Sequence, residues 1–130
     1  MNLNEYAKDI HFTSTSKGFD TPNEENIHKK LLLTVSEICE AQEELRDGRK
    51  LVEVYWRNSG GDITELPYHA GASLDTFPKD KKPEGFPIEI ADAIIRLLHI
   101  ASAIGMDIDA CVALKLAYNK TRPEKHGRKF

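Results

Sequence analysis

Apolar residues recur at helical spacing in three stretches of the chain. Over about residues 23–46, Ile27, Leu31, Val35, Ile38 and Leu45 fall on one face at a period of 3.6. Thr21 is placed to cap this helix and Pro22 to take its first position, and Glu24 and Glu25 suit the positive end of its dipole. Asp47-Gly48 closes it. Over 88–104, twelve of seventeen positions are apolar, which predicts a helix buried nearly all round. Gly105 suits its C-cap. Asp107 then caps a third helix at about 108–121, which Pro123 stops. The first twenty residues show no clean period. Residues 51–56 fit a strand or a further helical turn. Residues 57–87 hold glycines at 60, 61, 71 and 85 and prolines at 67, 78, 83 and 87. The pattern predicts a single all-α domain over 1–130, with a long loop-rich insertion at about 50–82 between the first two core helices.

Composition narrows the class. The chain has 130 residues, 40% hydrophobic and 30% charged, which suits a soluble globular domain. Its 18 Lys and Arg against 21 Asp and Glu leave a net charge of −3, which disfavours general nucleic-acid binding. The N-terminus lacks a secretory pattern, and no apolar run reaches the roughly 18 residues a membrane helix needs. Cys39 and Cys111 stand apart, without metal-ligand spacing, and read as reduced thiols of a cytoplasmic protein, Cys39 as a small buried hydrophobe without chemistry.

The polar residues of the apolar helix are the informative ones. Glu89, Asp92, Arg96 and His99 share a wedge of roughly 80° at about 100° per residue. Charges hemmed in by aliphatic residues are paired or bind metal. On the first helix, Glu37, Glu40 and Glu44 line one edge, where like charges repel unless a cation intervenes. If the two helices pack antiparallel, Glu37, Glu40, Glu89 and Asp92 converge. Such hard oxygen ligands select Mg²⁺, or Mn²⁺, over zinc. Lys115, Asn119 and Arg122 lie on one face of the third helix and fit a polyphosphate. Tyr55 and Trp56 read as packing at the edge of the core rather than as a base platform.

Ser36-Glu37-Ile38-Cys39-Glu40-Ala41, Glu89-Ile90-Ala91-Asp92 with Arg96, Lys115-x3-Asn119-x2-Arg122-Pro123 and His126-Gly127-Arg128-Lys129 together resemble the MazG-type all-α nucleoside triphosphate pyrophosphohydrolases. The resemblance covers roughly residues 17–46 and 83–130. It implies a helical bundle completed by oligomerisation, as a homodimer or dimer of dimers. It also implies Mg²⁺-dependent cleavage between the α and β phosphates of a (deoxy)nucleoside triphosphate, releasing a nucleoside monophosphate and pyrophosphate. Carried over, Glu37, Glu40, Glu89 and Asp92 are the metal ligands; in the mechanism expected here, in-line attack by a metal-activated water, Glu37 or Glu40 doubles as the catalytic base. Lys115 and Asn119 match positions that contact the phosphates or sugar, and His11 and Phe19 are the candidates to shape the base pocket; Arg122 and Arg96 are this chain's own further candidate substrate contacts. The chain departs from the family in residues 50–82, and in Arg96, where some relatives carry an aromatic residue. The alternative is a helical module that binds a nucleotide or metal without turnover; a purely structural bundle is a further rival.

Overall fold

The computed structural model describes residues 1–64 and 80–127. It is mostly helical, as the periodicity predicts, with a small sheet formed by the segment read as an insertion and the two residues that follow it. In chain order the described elements are α1 (Leu3–Ser16), α2 (Ile27–Arg46), β1 (Tyr55–Asn58), β2 (Ile63–Thr64), β3 (Lys81–Glu84), α3 (Phe86–Ala103), α4 (Ile108–Thr121) and a terminal 3-10 turn. They fall into two compact units, one of Met1–Ile27 with Leu97–Phe130 and the other of His28–Arg96.

In the first unit, α1 occupies residues for which no period was expected. Its start is set by capping. The Asn2 side chain accepts from the Glu5 backbone N–H at 2.8 Å, and the Glu5 carboxylate accepts from Asn2 N–H. This capping box satisfies two otherwise orphaned donors. The Asp109 carboxylate accepts from the backbone N–H groups of Leu3 and Asn4 at 3.1 and 3.0 Å. In return Asn4 Oδ1 accepts from Ile108 N–H, and its amide donates to Asp107 Oδ1 at 2.8 Å. The N-termini of α1 and α4 thus cap each other. Asp107 also accepts from Ala110 N–H, the predicted cap, and these two hydrogen bonds, Asn4's first, hold its carboxyl below the usual range.

The second unit holds α2, the sheet and the start of α3. Helix α2 begins at Ile27 rather than 23, because the Asn23 side chain accepts from the N–H groups of Glu25 and Asn26 and folds a separate turn. Thr21 and Pro22 therefore lie outside the helix, and Pro22 is buried there. The predicted C-terminus is correct. Gly48 adopts φ +87°, Gly48 N–H donates to Leu45 O, and Arg49 N–H donates to Glu44 O, a Schellman closure. The buried face of α2 is Thr34, Glu37 and Ala41, whereas Leu31, Val35 and Ile38 of the predicted stripe are 45%, 52% and 53% exposed. Helix α3 buries Ala93, Leu98, Ile100 and Ala101 but leaves Ile94, Ile95 and Leu97 exposed, so it is not covered all round. The inward-facing Glu37 and its partner Arg96 turn the α2 stripe outward.

Residues 51–56 divide: Leu51 and Val52 lie in a turn closed by Glu53 N–H donating to Lys50 O, and only Tyr55 and Trp56 enter a strand. β1 is the centre of an antiparallel sheet of order β2-β1-β3, with Trp56 opposite Thr64 and Tyr55 opposite Glu84. Tyr55 is buried, as its packing role predicts, and its hydroxyl donates to the Glu44 carboxylate at 2.9 Å. Burial, then that carboxylate, push its pKa up to about 12. The Arg49 guanidinium stacks 3.9 Å from the Tyr55 ring centroid. Together these contacts tie the C-terminal end of α2 to β1. The rest of the expected insertion, residues 65–79, lies outside the described residues.

Between β3 and α3 stands Gly85, at φ +123°. A Cβ there would sit 2.3 Å from the Glu53 carbonyl oxygen. The junction that starts α3 therefore needs glycine for both dihedral and space. Pro87 follows in the first turn, where its missing N–H costs nothing. Gly85→Ala is expected to lower the urea midpoint by the equivalent of at least about 2 kcal/mol. Gly48→Ala, with nothing within 4 Å of its Cβ, is expected to lose only about 1 kcal/mol. Equal losses would mean that the contact with Glu53 contributes nothing.

Candidate metal centre

Two helices of the second unit bring carboxylates together. Glu37 comes from the buried face of α2, and Glu89 and Asp92 from the first two turns of α3. The i, i+3 spacing on α3 puts its two acids on one side. One oxygen from each of the three residues lies within 4.8 Å of the others. Around Mg²⁺, with bonds of about 2.1 Å, opposite oxygens stand about 4.2 Å apart and neighbouring ones about 3 Å. Small side-chain rotations bring the three into that range, so the donor set fits a hard divalent cation.

Among the described residues, four carboxylates (Glu37, Glu40, Glu89 and Asp92) act on one another here and two cations, Arg96 and Lys82, act on them. Arg96, one turn beyond Asp92, donates from Nε to Glu37 Oε1 at 2.7 Å. Glu37 is 9% exposed. Burial pushes its carboxyl up, but the hydrogen bond and charge of Arg96, with hydrogen bonds to Glu40 and Glu89, hold it below the ordinary value. Among the described residues, no cation is paired with Glu89. Burial first, then a hydrogen bond to Glu40 and the charges of Glu40, Asp92 and Glu37, push it up to about 7. Burial and the Glu37 charge raise Asp92 as well. A bound cation stabilises the ionised form of each.

The predicted residues distribute as follows. Glu37, Glu89 and Asp92 form the trio. Glu40 stands exposed one turn along α2 from Glu37, close enough to shift the titration of Glu37 and Glu89. Arg96 is the ion-pair partner of Glu37. Lys115, Asn119, Arg122, His11 and Phe19 belong to the other unit. There Lys115 and Arg122 lie 4.9 and 5.5 Å from the Tyr118 ring centroid, so the expected basic face of α4 carries an aromatic residue at its middle. Asn119 is half-buried on the same helix. His11 packs its ring 5.3 Å from that of His99, the last member of the α3 polar wedge. Phe19 is exposed. Cys39 is exposed rather than buried, and Cys111 is exposed as well. Cys39 lies two residues from Glu37, on the far side of a helix that turns Glu37 inward. Residues 128–130 of the basic tail lie outside the described residues.

The sequence reading missed Lys82. It is a β3 residue whose charge acts on Asp92. Its signal was position alone: it lies just before the glycine that starts the acidic helix.

An ordinary glutamate ionises near 4.5, and Glu89 in the folded protein near 7. Between those values the folded state holds a proton that the unfolded state has lost. The stability contributed by this group is therefore full below 4.5 and is lost as pH rises through about 7. The lowered pKa of Glu37 works oppositely, its contribution being lost as pH falls below 4.5. In metal-free buffer, Glu89→Gln is expected to gain thermal stability relative to the unsubstituted protein between about pH 5 and about pH 8. A constant difference in melting temperature across that range would contradict the assigned environment. No family model, curated protein or solved structure matches the chain.

Proposed function

We propose that the protein is a Mg²⁺-dependent nucleoside triphosphate pyrophosphohydrolase of the MazG type, with the metal centre on α2 and α3. The observation that carries this reading is the convergence of Glu37, Glu89 and Asp92 from two helices at motif spacing. The partly uncompensated charge of the trio supports it. A divalent cation held by these carboxylates supplies Lewis acidity, neutralising phosphate oxygens and lowering the pKa of water.

The chain's own residues divide the remaining work. Glu37 is a weak candidate for the base, because Arg96 occupies one of its oxygens and stabilises its ionised form. Glu40 is exposed at the rim of the trio and is the base in this reading. It accepts the proton of a water as the water oxygen bonds to the α-phosphorus. The bond from that phosphorus to the bridging oxygen breaks, and pyrophosphate leaves with the electron pair. Arg96 keeps Glu37 ionised and fixed. Lys115, Asn119 and Arg122 remain the proposed phosphate and sugar contacts.

Self-association belongs to the same proposal. Leu31, Leu32, Val35 and Ile38 on α2 are 45–69% exposed within one chain. A contiguous apolar face of this kind favours a partner surface. Sedimentation equilibrium is expected to show at least a dimer, and full activity from a 14.7 kDa species would contradict this part.

Pyrophosphate release from a panel of canonical and modified (d)NTPs under Mg²⁺ tests the reading directly. Asp92→Ala or Glu89→Ala is expected to lower turnover by at least about a hundredfold, with the far-ultraviolet helical signal retained. Metal-free stability is expected to hold or rise, because repulsion falls. Near-normal Mg²⁺-dependent turnover in either variant would overturn the metal assignment. Binding of a triphosphate without pyrophosphate release would favour the non-catalytic alternative.

A further inference from the structure

The polar wedge of α3 ends in a histidine that the acidic trio does not use. His99 follows Asp92 by seven residues, about 10 Å of helix rise, and is not a member of the carboxylate group. It lies in the first unit, between the buried Leu98 and Ile100. Its ring meets that of His11 on α1, in the same unit, with centroids 5.3 Å apart and planes inclined by 49°.

His11 faces inward on its own helix. Ala7, the buried residue of α1, stands one turn before it on the same side. Phe12, the next residue, is 74% exposed. Helix α1 thus brings an imidazole against α3 and gives a phenyl ring to solvent, the reverse of what burial alone favours. His11 Nδ1 and His99 Nε2 are both shut off from solvent, and His11 Nδ1 has no hydrogen-bond partner among the described residues. A buried ring nitrogen in that condition costs folding free energy unless a ligand takes it up.

The spacing of the rings fits one ion between them. Imidazole nitrogens about 2.05 Å from a tetrahedral cation place two ring centroids about 5.2 Å apart, whereas neighbouring octahedral positions place them about 4.5 Å apart. The observed 5.3 Å matches the tetrahedral pair. Neutral imidazole suits zinc and its neighbours in the first transition row, and Mg²⁺ keeps to oxygen. Among the described residues no third His, Cys, Asp or Glu joins the two rings, so the other positions on such an ion belong to water or to a small ligand.

We infer that His11 and His99 form a second, nitrogen-based cation site, which takes Zn²⁺ or a cation of like size and preference and ties α1 to the C-terminal half of α3. It depends neither on the acidic trio nor on the pyrophosphohydrolase reading. It gives His11 a role other than the wall of a base pocket.

The test is calorimetric titration with Zn²⁺ in excess Mg²⁺, on protein carrying Cys39→Ser and Cys111→Ser so that neither exposed thiol competes. A Zn²⁺-binding step is expected that His11→Asn and His99→Asn each weaken at least about tenfold. Glu89→Gln is expected to change the same step less than about twofold. The ring ¹⁵N resonances of the protein with both histidines intact provide a reading that needs no histidine variant to fold. Those of His11 and His99 are expected to move on adding Zn²⁺ and to stay in place on adding Mg²⁺ alone. Zn²⁺ affinity unchanged in either histidine variant overturns the inference. Loss of the step in Glu89→Gln also overturns it, since the acidic trio would then hold the ion. Ring resonances of His11 and His99 that saturating Zn²⁺ leaves unmoved overturn it as well, and reduce the pair to ring packing.

Discussion

One guanidinium faces a group of carboxylates that it cannot neutralise alone. Arg96 pairs with Glu37 at 2.7 Å, and Glu89, Asp92 and the adjacent Glu40 remain. A chain selected only for stability would avoid this, because buried like charges raise one another's pKa values and cost folding free energy. Glu89, pushed up to about 7, carries that cost visibly. The same imbalance orients α2. Helix α2 turns Glu37 inward toward Arg96, so its buried face is Thr34, Glu37 and Ala41 and its aliphatic stripe faces out. The apolar surface of the single chain and the acidic centre are thus two results of one packing choice.

The small sheet supports the same centre. Tyr55 binds Glu44, two turns along α2 from Glu37, and Arg49 stacks on its ring. β3 then leads through Gly85 into α3 at a point where any side chain would strike the Glu53 backbone. The beginning of the acidic helix is therefore set against β1, which is itself set against α2. A positioned site needs its supporting residues locked in this way. The segment read as an inserted loop contributes both a brace, through Tyr55, and a cation, through Lys82.

Much of this was legible in the chain, for local reasons. Asp107 as a cap, Gly48 and Gly105 as helix ends, and the extent of α4 follow from capping chemistry that operates within a few residues. The carboxylates were legible because i, i+3 spacing on two helices survives any packing that brings the helices together. The misses have physical causes too. The α1 helix lacks a clean apolar period, and its stability at the start comes from Asp109, more than a hundred residues away. Its Asn2-x-x-Glu5 capping box was the available signal. The inward face of α2 was misjudged because periodicity marks an apolar stripe without marking what covers it. The exposure of Cys39 follows from the same rotation.

The central claim is that Glu37, Glu89 and Asp92 hold a divalent cation, and the most direct measurement is an anomalous difference map from crystals grown with Mn²⁺. The account predicts a peak bounded by carboxylate oxygens from all three residues, with Arg96 still paired to Glu37. A structure with Mn²⁺ bound elsewhere, or with the three carboxylates splayed apart and solvated at saturating Mn²⁺, would contradict it.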